Sequence, residues 1–280
     1  MDLPNHKYAP RPKELDPVEG VAWGNRCSLR LVSGPTYEDL ELVTNITNPT
    51  DIERVEVSLN GGPIISCSGE ALEMLQLHRK NHTEPGRYLI SFGDPTLRTK
   101  IGIRQSELVT LAGEIWFVYI TLKTTPSQGA PATPTIRARA HVLASQPERF
   151  FLPRVKQLTW FASSDGRTPF DYPERSPFIN IRRIHFKDDA TVNRVRVIRD
   201  NVEELNVRRE DNEFDLKAAK KDPIPGWFSV NFIRNGFGSE GTLSTAASTQ
   251  LQFELDKSST GSIPVLVEYI EQVKAIPVPA

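Results

Sequence analysis

The sequence has few of the features that mark secreted, disulfide-stabilised or membrane-spanning proteins. It contains only 2 cysteines, Cys27 and Cys67, both in the first half, which argues against a disulfide framework and favours a reducing compartment. Its apolar runs, of which residues 115–120 (IWFVYI) are typical, are too short to cross a bilayer as a helix. The opening residues 1–20 contain no apolar segment, so we expect no secretion signal.

An excess of one charge sign is also missing. The chain has 34 lysines and arginines against 35 aspartates and glutamates, for a net charge of −1. A basic surplus that would attract nucleic acid is therefore absent, and we expect no nucleic-acid partner. A chain of 280 residues is long enough for two domains of roughly 140 residues each.

What the sequence does contain is a series of short segments with alternating or β-branched apolar residues, bounded by Gly, Pro, Asn or Ser. In the first half these segments predict strands at 26–32, 37–46, 52–59, 87–92, 97–103, 115–123 and 135–143. In the second half they predict strands at 156–162, 178–187, 192–199, 227–233, 242–246, 249–256 and 264–271.

Only one stretch in each half has helical character. Residues 68–80 begin with Ser68, a candidate N-cap. One face of this predicted helix holds Ala71, Met74 and Leu75. Residues 211–221 form the counterpart, and one face of that helix holds Phe214, Lys217 and Ala218.

The two halves repeat each other. After a shift of 140 residues, 9 of the 44 positions in 51–94 are identical to those in 191–234, against roughly two or three expected by chance. The repeat is clearest where 52–59 (IERVEVSL) matches 192–199 (VNRVRVIR). Seven or eight strands with one helix per half is the content of a Greek-key sandwich, and the place of the helix narrows this to a jelly roll. We predict an all-β fold of two tandem eight-stranded jelly rolls, each with one short helix.

This repeat predicts three parts of the chain: an extended arm at 1–19, a first jelly roll at 20–147 and a second at 148–280. The boundary between the rolls is expected near 145–149. Because the arm contains four prolines, which fix φ and remove backbone donors, we expect it to form neither strand nor helix.

We hypothesise that the arm is an assembly clamp outside either core, so that deleting 2–17 would leave the melting temperature unchanged. Its cations are Lys7, Arg11 and Lys13. They are the residues expected to contact anionic lipid headgroups or carboxylates of a neighbouring copy.

Two residue pairs have spacings that metal sites use. Asp188 and Asp189 lie at a predicted turn and are candidates for a divalent cation such as calcium, although an ordinary polar turn is the favoured interpretation. His78 and His82 are four residues apart, but no glutamate follows the first histidine, so a solvated helix end is favoured there.

Basic residues recur along two predicted strands, at Arg137 and Arg139 and at Arg182 and Arg183 with Lys187. They could contact phosphate, but acidic residues are equally abundant, so a solvated strand face or an intersubunit ion pair is favoured. We find no coherent nucleophile, metal or acid–base constellation. We therefore expect no catalytic residues, no cofactor-binding residues and no enzymatic activity.

Several stretches resemble the double jelly-roll major capsid proteins of tailless, membrane-containing icosahedral bacteriophages, most closely the corticovirus type. The opening segment is similar at 21–43, where GNRCS is followed by GPTYE. Further similar segments are IERVEVSLNG at 52–61, RFFLPRVKQLTWF at 149–161 and IPVLVEYIE at 263–271. The resemblance covers nearly all of the chain after residue 20, and its motifs are structural.

This resemblance implies a shell-forming protein. In such capsids three chains with two rolls each form a pseudo-hexagonal homotrimer that tiles the shell of the virion, assembled in the host cytoplasm. The implied partners are other copies of the chain, minor capsid, vertex and membrane proteins, and the internal lipid membrane. A tandem β-sandwich that binds or hydrolyses glycans is the alternative, but its expected secretion signal, disulfides and convergent carboxylates are not visible.

Overall fold

A computed structural model describes residues 10–188, 190–238 and 240–275. Within these ranges no helix combines the length and apolar character needed to span a membrane. The described residues form two compact units, one of 10–153 with 273–275 and one of 154–272. The division lies after the boundary predicted at 145–149.

The first unit contains nine strands, two α-helices and one 3₁₀ turn. Its strands are β1 (Arg11–Glu14), β2 (Arg26–Leu31), β3 (Thr36–Thr44), β4 (Ile52–Leu59), β5 (Gly62–Cys67), β6 (Arg87–Ser91), β7 (Leu108–Val109), β8 (Trp116–Leu122) and β9 (Ile136–Leu143). Its helices are α1 (Gly69–His78), α2 (Lys100–Arg104) and the 3₁₀ turn Pro49–Asp51. One sheet has the order β1-β9-β3-β6, with β7 paired to β3, and the other has the order β2-β8-β4-β5.

The second unit also contains nine strands but has one α-helix among its described residues, whereas the first has two. Its strands are β10 (Phe151–Ala162, most of which lies in this unit), β11 (Gly166–Asp171), β12 (Ile179–Lys187), β13 (Val192–Arg199), β14 (Val202–Arg208), β15 (Trp227–Asn231), β16 (Leu243–Ser244), β17 (Leu251–Lys257) and β18 (Gly261–Gln272). Its helix is α3 (Arg209–Ala218). One sheet has the order β10-β18-β12-β15, with β16 paired to β12, and the other has the order β11-β17-β13-β14.

Both units therefore have the same strand order, which is that of an eight-stranded jelly roll with one extra short strand. The predicted fold of two tandem jelly rolls is confirmed. Strands β4 and β13 have the bounds predicted from the repeat and hold the same place in their units. In each unit this strand pairs with the next strand along the chain, and an α-helix follows that next strand, α1 after β5 and α3 after β14.

Each unit has its own apolar core between its two sheets. In the second unit the Trp160 indole stacks on the Phe170 ring at 4.8 Å between centroids and meets the rings of Phe186 and Phe253 at 5.8 and 5.7 Å. Aromatic pairs at these separations add to the stabilisation from buried area. In the first unit the thiols of Cys27 and Cys67 are buried in the core, and burial raises the pKa of Cys27.

Helix α1 begins as its sequence predicts. The Ser68 side chain accepts a hydrogen bond from the Ala71 backbone N–H, which satisfies a donor that the first turn would otherwise leave unpaired. Ala71, Met74 and Leu75 are all buried, as expected from their shared face.

The strand predicted at 97–103 is wrong, because part of this segment is helix α2. Thr99 caps the helix by accepting a hydrogen bond from the Gly102 backbone N–H at 3.0 Å. Ile101 is 81% exposed, so the apolar alternation that suggested a strand does not correspond to a buried face. A side-chain cap decided the local structure here, and alternation over so few residues does not exclude a helix.

The expectation that the arm forms no strand is wrong for residues 11–14, which form β1 at the edge of the first sheet. β1 pairs with β9 in antiparallel register, and the Leu15 N–H donates to the Ala138 carbonyl at 3.0 Å. Because hydrogen-bonded pairs alternate along such a ladder, the backbone of Pro12 faces the open edge. The missing N–H of Pro12 therefore costs no bond to β9, which is why proline is tolerated in an edge strand.

Candidate functional site

The cations expected in the arm lie partly within β1. Arg11 and Lys13 are exposed on this strand, whereas Lys7 lies outside the described residues. Glu14 on the same strand accepts a hydrogen bond from Arg137 of β9 at 2.5 Å. The edge of the first unit thus exposes the cations of Arg11 and Lys13, whereas the nearby Glu14 is paired with Arg137.

Asp188 lies in the tight turn between β12 and β13 and its side chain is fully buried. Its Oδ1 accepts hydrogen bonds from the Thr191 N–H at 2.8 Å, the Thr191 hydroxyl at 2.7 Å and the Val192 N–H at 3.0 Å. Its Oδ2 forms an ion pair with Arg209, the first residue of α3. This geometry locks a turn and ties it to the helix, and Asp189 lies outside the described residues.

The other candidate metal residues are not brought together. The solvated helix end favoured for this pair is wrong for His78, which is buried on α1, whereas His82 is exposed beyond the end of that helix. In the described ranges no three His, Cys, Asp or Glu side chains converge as a metal site would require.

A row of ion pairs covers the outer face of the first unit, on the sheet that contains β3. Glu41 forms ion pairs with Arg87 at 2.5 Å and with Arg139 at 3.0 Å. Together with the pair between Arg137 and Glu14, they give both arginines of β9 an acidic partner within the chain. The hydrogen bond that Arg87 donates to Glu41 raises the pKa of the Arg87 guanidinium.

Next to this row, Asp39 contacts the His141 Nδ1 at 2.8 Å. Burial raises the pKa of the Asp39 carboxyl, and the hydrogen bond with His141 opposes that rise. The contact joins β3 to β9, the two central strands of their sheet.

The second unit contains a buried counterpart between the equivalent strands β12 and β18. The His185 Nε2 lies 2.9 Å from Glu268 Oε1, and the His185 Nδ1 lies 2.8 Å from the Ser229 hydroxyl. Glu268 also accepts from Arg183 at 3.4 Å. All of these side chains are almost fully buried.

The solvated strand face favoured for Arg182 and Arg183 is therefore wrong, since both are buried within the single chain. The sequence analysis also missed the pairing of His185 with Glu268. In β12 six consecutive residues, 181–186, are buried, so both faces of this strand are covered. A strand that is buried on both faces requires its charged residues to be paired.

The chain matches two family models that together cover most of its length. Residues 12–143 match the viral coat protein P2 N-terminal domain, and residues 152–273 match the viral coat protein P2 C-terminal domain. The relative named major capsid protein P2 of Pseudoalteromonas phage PM2 is 24% identical over 267 residues, which is 91% of this chain and 95% of the relative.

Solved structures show the same fold. The crystal structure of the major capsid protein P2 from bacteriophage PM2 has a TM-score of 0.85 at 19% identity, covering 96% of this chain and 99% of that chain. The crystal structure of the STIV MCP has a TM-score of 0.71 at 10% identity, covering 94% and 96%. The PBCV-1 virus capsid has a TM-score of 0.67 at 9% identity, covering 99% of both chains.

The resemblance inferred from the sequence segments is thus confirmed by matches to both domains, in the same order along the chain. The matched ranges lie within the two jelly rolls and begin at residue 12, inside strand β1. This chain belongs to the family of P2 viral coat proteins.

Proposed function

We propose that this chain is the major capsid protein of a virus related to phage PM2 and that it assembles as a pseudo-hexagonal homotrimer tiling an icosahedral shell. The observation that carries the proposal is the repeated strand order, because two equivalent rolls in one chain give six near-equivalent rolls in a closed trimer. Six such positions can fill a hexagonal place in a lattice with one gene product. Membership of the P2 family supports this function.

A role without catalysis agrees with the way the chain uses its charged residues. Asp188, Glu41 and Glu268 each engage neighbouring cations or backbone donors in the same unit. These contacts join strands and turns to one another, which is what a protein under mechanical load in a shell requires. The comparisons give no support to the alternative of a glycan-binding protein or glycan hydrolase.

The contacts of the capsomer are a further part of the proposal. Arg11 and Lys13 face outward from an edge strand, where they can meet carboxylates of a neighbouring copy or of a minor capsid protein, or anionic headgroups of an internal membrane. A few charges per chain bind only weakly, but many copies on one shell act together. A structural cation such as calcium at Asp188 and Asp189 remains a separate proposal.

Size-exclusion chromatography with light scattering tests the capsomer directly. We expect a particle of three times 31.5 kDa. A monomer at micromolar concentration would contradict the trimer, and electron microscopy of concentrated trimer then tests whether shells or hexagonal arrays form.

A further inference from the structure

The chain passes between its two units twice. It leaves the first unit after Pro153 and returns to it at Val273. Shortly before the first crossing, residues 148–150 form a linker between β9 and β10 that contains no helix or strand. Irregular segments between domains are usually mobile and are preferred sites of proteolysis. In this chain, however, contacts hold the linker from two sides.

On one side, Arg149 of the linker is bound by the first unit. Its guanidinium donates to both carboxylate oxygens of Glu114, at 2.7 and 3.0 Å, and to the Val109 carbonyl at 2.9 Å. The Arg149 and Glu114 side chains are only 9% and 14% exposed, and a bidentate pair with so little exposure is strong. Burial raises the pKa of Glu114, but hydrogen bonds from Arg149, the Leu111 N–H and Trp116 lower it overall, so the carboxylate is charged at neutral pH.

On the other side, the residues that follow β18 bind the linker. The Val273 N–H donates to the Phe150 carbonyl at 2.8 Å. Lys274 pairs with Glu148 at 2.5 Å and lies over the Phe150 ring at 5.9 Å. Because the Lys274 and Glu148 side chains are about half-exposed, their ion pair contributes little, and the backbone hydrogen bond is the contact that matters most.

The two contacts depend on different parts of the fold. Val109 lies in β7 of the first roll, and Glu114 directly precedes β8 of the same roll. Val273 directly follows β18, which pairs with β10 in the second roll. Because Arg149 and Phe150 are consecutive in the chain, the linker has both contacts only when both rolls are folded.

We propose that Glu114, Arg149, Phe150 and Val273 form a clasp that keeps the linker closed to proteases and makes this closure depend on both rolls. Each of the two contacts adds to the free energy of opening the linker. Loss of either contact should therefore open the linker more often, although neither roll unfolds.

Trypsin measures this opening in the native chain, because it cleaves after Arg149 at a rate that follows the population of the open linker. Val273→Pro removes the N–H that binds Phe150, and residue 272 at the end of β18 already has the extended backbone that proline requires before it. Glu114→Gln removes the charge that pairs with Arg149. In each variant the fragment that begins at Phe150, measured by mass spectrometry, should appear at least about ten times faster than in wild type.

Two matched variants are the controls. Val273→Ala keeps the backbone N–H, and Glu148→Gln makes the same chemical change as Glu114→Gln but in the exposed pair. Each should leave the rate of cleavage after Arg149 within about twofold of wild type. Hydrogen exchange in β4 and β13 should be unchanged in all four variants, because both rolls stay folded.

A chain that ends at Gln272 lacks the Val273 and Lys274 contacts altogether, so it tests the same side of the clasp without introducing a proline, and it should match Val273→Pro. Cleavage after Arg149 at the wild-type rate in this truncated chain or in Glu114→Gln, with β4 and β13 still protected, would overturn the clasp, because the linker would then be held from one side at most. Equal acceleration in Val273→Ala or Glu148→Gln would overturn it as well.

Discussion

Replacing Asp188 should destabilise the second roll while leaving the first intact. The Asp188 carboxylate is buried and holds the turn between β12 and β13 through three hydrogen bonds from Thr191 and Val192. The same carboxylate pairs with Arg209, whose Nε also donates to the Val192 carbonyl at 2.9 Å. One side chain therefore connects two strands and the start of α3.

The magnitude follows from what each variant leaves unpaired. Asp188→Ala removes every acceptor and leaves two backbone N–H groups and the Arg209 guanidinium without this partner. Breaking a buried ion pair in this way lowers the free energy of unfolding by about 3–5 kcal/mol. Asp188→Asn keeps an amide oxygen for Thr191 and Val192 but removes the charge, so we expect a smaller loss of about 1–3 kcal/mol.

Hydrogen exchange measured by mass spectrometry reads both rolls in one sample. Peptides covering β13 should exchange roughly 10²–10⁴ times faster in Asp188→Ala, which is the fold-change for about 3–5 kcal/mol. Peptides covering β4, the equivalent strand of the first unit, are the internal control and should not change.

The same experiment shows whether Asp188 only stabilises the turn through its hydrogen bonds or also binds a cation. If the turn alone needs Asp188, added calcium or chelator should act equally on wild type and on Asp188→Asn. Protection of β13 by calcium in wild type but not in Asp188→Asn would show that this carboxylate binds a cation. Unchanged exchange at β13 in Asp188→Ala would refute the reasoning from buried hydrogen bonds.

Three further predictions concern other charged groups and the chain's edge. Asp200 accepts hydrogen bonds from the backbone N–H groups of residues 248–250, which lower its pKa below 3.8, so the stabilisation is present above that pH and is lost on further acidification. In urea unfolding, the difference in stability between wild type and Asp200→Asn should therefore shrink below pH 3.8, and a constant difference would contradict this. Glu268→Gln leaves Arg183 beside a neutral amide and should lower the free energy of unfolding by about 3–5 kcal/mol, whereas a change below about 1 kcal/mol would show that the buried pair adds little. Deleting 2–17 removes β1 and should lower the melting temperature in calorimetry, while deleting only 2–9 should not; equal melting temperatures would show that β1 contributes nothing to the roll.

The long strands with several buried aliphatic or aromatic residues were readable from the sequence. The strands at 52–59 and 192–199 have the predicted bounds because each begins with a buried aliphatic residue and then alternates buried valines with polar residues at 55–57 and 195–197. The strands that were missed lack this signal. Three of them contain a proline, namely Pro12 in β1, Pro63 in β5 and Pro169 in β11.

Proline in a strand is compatible with pairing where its missing N–H is not needed, and the sequence does not show where that is. β1 and β11 are edge strands, and Pro63 lies beside a register shift between β4 and β5. The missed strand β14 is also at an edge, with most of its residues exposed. Edge strands bury little, so their sequences carry little periodic information.

The ionic contacts could not be predicted because they depend on register. Asp39 and His141 are 102 residues apart, and they meet only because β3 and β9 pair with a bulge near Asp39. His185 and Glu268 meet across the equivalent strands of the second unit. A one-residue change of register would separate both pairs, and no local pattern fixes it.

The surface of α3 shows a different limit of sequence reasoning. The sequence indicates that Phe214, Lys217 and Ala218 share a helical face, but all three are exposed, whereas Leu216 on the other face packs on the roll. A periodic pattern shows which residues lie together and does not show what covers them. At the equivalent position of the first copy, Met74 is 2% exposed, whereas Phe214 is 72% exposed. Two helices at the same place in the fold therefore bury different positions, and the periodicity of one copy does not reveal the difference.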